Sequence, residues 1–206
     1  MLKRLCIGIC ALPLGVAWAQ PCVIQNPGFE AESASWKFDC SRELGSTASI
    51  HVVQRDLGGH THSGDYATQM MIQGDGTTGS VAWASVSQVI PCIPGKRMQV
   101  GYYAHPSLLL DSNLSSRLHL ELRVEFFRDA QAERPIPTHA TFRTPLTVSN
   151  PNPKSAWIPI VTSTRSPPAA ACMKISVVFW ALDPKPTPAV VWIDDLAMRI
   201  TDPIRE

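Results

Sequence analysis

The sequence predicts an all-β fold, a jelly-roll β-sandwich of two antiparallel sheets, and three observations carry the prediction. Proline is dense and scattered, 18 in 206 residues, in IPCIPG, RPIPTH, NPNPKS, SPPAA and DPKPTP. Long helices do not survive that spacing, because proline lacks an amide donor and clashes with the preceding turn. Between the prolines run short segments of period two. In RLHLELRVEFF, Leu118, Leu120, Leu122, Val124 and Phe126 alternate with His119, Glu121, Arg123, Glu125 and Phe127, the pattern of a strand buried on one face. Many such strands separated by turn signals describe sandwiches and jelly rolls.

In chain order, strands are predicted at residues 48–54, 66–72, 81–90, 98–105, 117–127, 138–144, 157–163, 173–182 and 189–200. The segment 173–182 is apolar on both faces. PSLLLDSNLSS, residues 106–116, reads as a short helix or a long loop. No internal repeat or low-complexity linker interrupts the series.

The N-terminus has the build of a secretory signal peptide. Lys3 and Arg4 precede an apolar run from Leu5 to Val16, and Ala17, Trp18 and Ala19 form a small-x-small cleavage site. Residues 1–19 are therefore read as a leader, and residues 20–206 as one exported domain, extracellular or periplasmic. Those 187 residues are ample for a single buried core. Downstream of the leader, no apolar stretch is long enough to span a bilayer, so membrane insertion is not expected. Without the leader, 16 Lys and Arg stand against 17 Asp and Glu. No basic field exists to recruit nucleic acid.

Four cysteines follow the leader, Cys22, Cys40, Cys92 and Cys172. An even number in an exported chain predicts two disulfides, with three connectivities open. Their spacing does not suit zinc, since no two lie a few residues apart.

VVWIDDLAMRI, residues 190–200, raises a separate question. Alternation on a strand turns one of Asp194 and Asp195 toward the side its apolar neighbours bury. A buried carboxylate needs a cation, a metal or several hydrogen-bond donors.

Five landmarks then fall in order: NPGFE at 26–30 followed by Trp36, HSGDYA at 62–67, VSQVIPCIPGKRMQVGYYAH at 86–105, Trp157 opening WIPIVTS, and WIDDL at 192–196. The series resembles the galactose-binding-like jelly rolls, particularly the non-catalytic carbohydrate-binding modules attached to xylanases and related glycosidases. It covers nearly the whole of 20–206. The resemblance implies that the first and last strands run close together and hold a structural calcium, with Glu30 and either Asp194 or Asp195 among its ligands. Calcium takes six or more oxygens, so carbonyls near Pro27 or in DLGGH would complete the shell. The plainer alternative is one Asp capping backbone amides and the other facing water. With the strands in this order, a Cys22–Cys40 bridge would pin the first strand, and a Cys92–Cys172 bridge would tie two long strands together.

A sugar-binding module presents aromatic rings to pyranose faces and polar groups to hydroxyls. Alternation supplies the candidates. With Val86 and Ile90 inward, Trp83 faces out. With Val100 and Tyr102 inward, Tyr103 and His105 face out. Glu121, Arg123 and Glu125 lie opposite the apolar set of their strand, and Trp180 lies opposite Val177 and Phe179. Trp36, Trp157 and Trp192 are expected to pack.

Two competing readings remain. A structural or adhesive surface protein would use the same fold for protein contacts. A metal-dependent hydrolase would use His60, His62 and Asp65 of GHTHSGD, two histidines two apart being a common start to a zinc site. No nucleophile motif stands in the sequence, and GDGTTG lacks the lysine of a phosphate loop. The expected function is non-catalytic binding of an oligosaccharide or polysaccharide.

Overall fold

The computed structural model describes residues 23–42, 45–108, 118–145 and 157–201. These form ten strands: β1 (Lys37–Cys40), β2 (Ser46–Gln54), β3 (Tyr66–Gly74), β4 (Val81–Pro91), β5 (Arg97–Leu108), β6 (Leu118–Phe127), β7 (Pro135–Pro145), β8 (Ile158–Arg165), β9 (Cys172–Leu182) and β10 (Ala189–Ile200). One 3₁₀ turn, Arg55–Leu57, follows β2. The leader read from residues 1–19 lies outside the described residues. No helix among those described is long and apolar enough to cross a membrane.

The strands pair antiparallel in two five-stranded sheets, A in the order β1-β4-β9-β6-β7 and B in the order β2-β3-β10-β5-β8. The expected jelly-roll sandwich is therefore the observed fold. Its core is the set of inward positions that period two marks. Val86 and Ile90 of β4, Ile175, Val177 and Phe179 of β9, and Leu120, Leu122 and Val124 of β6 face Met98, Val100 and Tyr102 of β5 and Val191 and Ile193 of β10. Burying each large side chain contributes about 1.5 to 3 kcal/mol, which offsets the entropy of ordering the chain.

Three expectations change. Pro106 and Leu108 continue β5 and pair with Val191 and Val190, so the chain is still a strand at 106–108. β7 runs from Pro135 to Pro145 despite its prolines, because it lies at the edge of sheet A, where a missing amide donor interrupts no ladder. The Cys92–Cys172 bridge is not formed. Cys172 lies opposite Pro91 in the register, one residue short of Cys92. Neighbouring positions on a strand face opposite ways: Cys92 belongs to the core between the sheets, and the Cys172 thiol donates to the carbonyl of Asp129 at 3.0 Å. Cys40 is a half-buried thiol on the edge strand β1. Cys22 lies outside the described residues.

Candidate functional site

The outer face of sheet A carries a groove of about 420 Å³, floored by β4, β9 and β6 and bordered by β1. The register builds it in rows. Trp83 pairs with Trp180, and Trp180 pairs with His119. In the next row Ser85, Val178 and Glu121 lie side by side, then Ser87, Ser176 and Arg123, then Val89, Lys174 and Glu125. Rows sit two residues apart, about 7 Å. Aromatic rings thus occupy one end and charges the other.

Both tryptophans are half-buried, leaving ring surface within reach of a ligand. His119 stacks on Trp180 with ring centroids 4.4 Å apart, which fixes the indole plane. Glu121 is only 3% exposed and accepts a bond from Arg123 Nη2 at 3.1 Å. A carboxylate this buried needs such a partner to offset its lost hydration. Farther along the groove, Lys174 Nζ lies 4.0 Å from Glu125 Oε2.

Five of the expected ligand residues, Trp83, Glu121, Arg123, Glu125 and Trp180, therefore line one groove. Tyr103 and His105 do not. They face outward as expected, but β5 belongs to sheet B, so they lie on the opposite side of the sandwich. Alternation gives a side chain's face and says nothing of which sheet its strand joins. Asp39, His119, Ser176 and Lys174 are additional groove-face residues. Strand parity marks the last three, because each stands an even number of residues from a named groove residue.

On sheet B, Tyr103 stacks on His62 at 3.6 Å, and His105 stacks on His60 at 5.0 Å. His60 also meets Trp192 edge-on, and Trp157 packs on His62 and His105. Trp192 is buried and Trp157 half-buried, while Trp36 is buried against Phe29 with its Nε1 donating to the carbonyl of Asn26. The histidines of GHTHSGD are thus spent on separate aromatic rings. Asp65 turns its amide to Glu30. Among the described residues, no group of three or more His, Cys, Asp and Glu side chains stands close enough to hold a metal as placed. The zinc-hydrolase constellation is not assembled.

The adjacent aspartates sit on a β-bulge of β10 between Asp194 and Ala197, with Asp195 at φ 50°. The extra residue lets Ile193 and Leu196 both enter the core while Asp194 is wholly buried. Asp194 Oδ2 accepts from the amides of His62 (2.8 Å) and Ser63 (3.2 Å), and its Oδ1 from the amide of Asp195. Asp195 meets His62 Nδ1 and Ser63 Oγ, each at 2.6 Å. Glu30 accepts from the amides of Asp65 and Tyr66.

All three carboxylates converge on Gly28. A methyl group built on Gly28 would lie 3.4 Å from Asp195 Oδ1, 3.6 Å from Asp194 Oδ1 and 3.7 Å from Glu30 Oε1. The donor set itself is hard oxygen throughout and suits calcium. Burial, opposed by the amide hydrogen bonds and reinforced by the charge of Asp195, raises the Asp194 carboxyl to about 6.

That shift has a definite sign. Between about pH 6 and the ordinary carboxylate range, the folded chain takes up a proton that the unfolded chain does not, so this group adds stability as pH falls. Above pH 6 its penalty is present in full. In EDTA, moving from pH 7 to pH 5 is expected to gain about 1 kcal/mol from Asp194. Thermal melts of wild type against Asp194→Asn check this, and equal pH slopes for the two proteins would refute it.

The fold is found in solved structures. The chain superposes on a family 61 carbohydrate-binding module in complex with β-1,4-galactotriose, with TM-score 0.50 and 16% identity over 86% of this chain and 97% of that one. A family 16 carbohydrate-binding module gives 0.52 and 14%, over 85% and 98%. The enzymatically active domain of tailspike protein 4 from bacteriophage CBA120 gives 0.56 and 16%, over 86% of this chain and 21% of that one. No protein-family model matches the sequence, and no curated protein matches it either. The architecture is a jelly-roll β-sandwich, a fold these solved domains share.

Proposed function

We propose that this chain is an exported, non-catalytic module that binds an oligosaccharide or polysaccharide in the groove of sheet A. One observation carries the reading: Trp83, Trp180, Glu121 and Arg123 converge on a single groove. A pyranose ring offers apolar C–H faces to the indoles, and its equatorial hydroxyls suit the Glu121–Arg123 pair, whose acceptor and donors are already fixed. A protein-binding face would be a broader apolar patch without convergent polar groups, which favours the sugar over the adhesive reading.

The charges support binding over catalysis. Glycoside hydrolysis needs one carboxyl held protonated opposite a second. Here Glu121 and Glu125 are each set against a cation. Glu30, Asp194 and Asp195 are further proposed to hold a structural calcium, which would neutralise three carboxylates converging beside Gly28. Export through residues 1–19 completes the reading.

Titration of intrinsic tryptophan fluorescence against a panel of soluble neutral glycans tests it. A saturable change with at least one glycan is expected. A flat response across the panel, from a protein with a normal melting curve, would overturn it.

A further inference from the structure

On the opposite side of the sandwich, the outer face of sheet B holds a second recess of about 450 Å³, bordered by Gln99, Gly101, Tyr103, Val161, Ala197 and Arg199. Gly101 opens it. It sits between Val161 and Ala197 in the register, where no side chain rises from the middle of β5. A Cβ there would lie 2.9 Å from the carbonyl oxygen of Ile160 and 3.0 Å from Val161 Cγ2. Val161 is 52% exposed beside this trough although it is apolar. A glycine inside a strand marks a place where another group can approach the backbone closely.

The two ends of the trough differ in chemistry. At one end stands the Tyr103 ring, held rigid by His62 stacked at 3.6 Å, which Asp195 holds in turn. At the other, Arg199 Nε donates to Gln99 Oε1 at 2.7 Å. This bond orients the guanidinium and leaves its two terminal nitrogens for another partner. Among the described residues, Arg199 has no carboxylate within ion-pair distance. An oriented guanidinium with open donors is a receptor for a planar anion. Four residues of β5 separate the two ends, about 13 Å.

We propose that this recess is a second ligand site, and that it takes an acidic oligosaccharide. One sugar ring lies against Tyr103 over Gly101 and Ala197, and a carboxylate farther along the chain meets Arg199. The polarity follows from Arg199, the oriented cation at the far end, which draws the carboxylate there. The groove of sheet A contrasts with it, because Arg123 and Lys174 there already face Glu121 and Glu125. The ligand class rests on the carbohydrate reading; the site does not rest on the groove.

Trigalacturonate is the probe, with neutral galactotriose as control, followed by backbone amide NMR on the full mature chain. Trigalacturonate should move the amides of Gly101, Val161, Ala197 and Arg199, with an affinity that falls as salt rises. Arg199→Gln should weaken it at least tenfold, Tyr103→Ala comparably, and Trp180→Ala should leave it unchanged. Galactotriose should leave these four amides still. Arg199 is exposed, so Arg199→Gln tests the site even if Tyr103→Ala folds poorly. Unmoved amides at saturating trigalacturonate, movement confined to the groove, or full affinity in Arg199→Gln would each overturn the proposal. Failure of the groove reading would show separately, as groove amides unmoved by every neutral glycan.

Discussion

Trp180→Ala is expected to weaken binding of the cognate neutral glycan by about 30-fold or more, with little change in melting temperature. Trp180 sits in the middle of the aromatic row, between Trp83 and His119, on the central strand of sheet A. Buried aromatic anchors at the centre of a binding site commonly contribute about 2 kcal/mol or more, which corresponds to that factor. The indole is on the outer face, so its loss leaves no cavity between the sheets. Trp180→Phe should restore part of the affinity, because a flat ring on His119 persists. Calorimetric titration of the three proteins against the glycan found by fluorescence measures all of this. Equal affinity in wild type and Trp180→Ala would remove the groove as the binding site.

The second large effect is on stability. At calcium concentrations 100-fold above its dissociation constant, the wild type should gain about 2.7 kcal/mol, since a ligand that binds only the folded state stabilises by mass action. For a chain of this size that is a rise of about 5 to 10 °C in melting temperature. Glu30→Gln should lose most of the rise. Its melting temperature in EDTA should stay close to wild type, because the glutamine oxygen can still accept from the amides of Asp65 and Tyr66. Scanning calorimetry with calcium and with EDTA distinguishes the cases. A wild type indifferent to calcium would show that amides, His62 and the Ser63 hydroxyl satisfy the three carboxylates.

Nine of the ten strands were legible in the sequence, because turn signals bound each of them and most carry period two between, β9 being the apolar exception. β1 was not: KFDC is four residues, too short for a period to register. Leu118 to Phe126 gave both the core face and the groove face of β6 in one pattern. Tyr103 and His105 show where that logic stops. Their parity was correct, but sheet membership depends on pairings between residues far apart in sequence, such as Tyr103 with Asp194. The Asp194–Asp195 pair was legible as an anomaly, yet the bulge that buries Asp194 depends on how Leu196 meets the core. Similarly, Cys92 and Cys172 do come to neighbouring strands, and one residue of register turns the thiols apart.

The central strand of each sheet is one of the last two in the sequence, β9 in sheet A and β10 in sheet B. Among the described residues only β2–β3 and β6–β7 are hairpins between consecutive strands; β10 pairs with β3 across more than a hundred residues. Neither sheet can close until nearly the whole polypeptide has emerged. A chain with so few local pairings folds on the slow, millisecond-to-second scale of β-sandwiches. The export proposed above would use that order of assembly: the polypeptide would stay extensible for a secretion channel, and the jelly roll would lock only once its C-terminal strands were across.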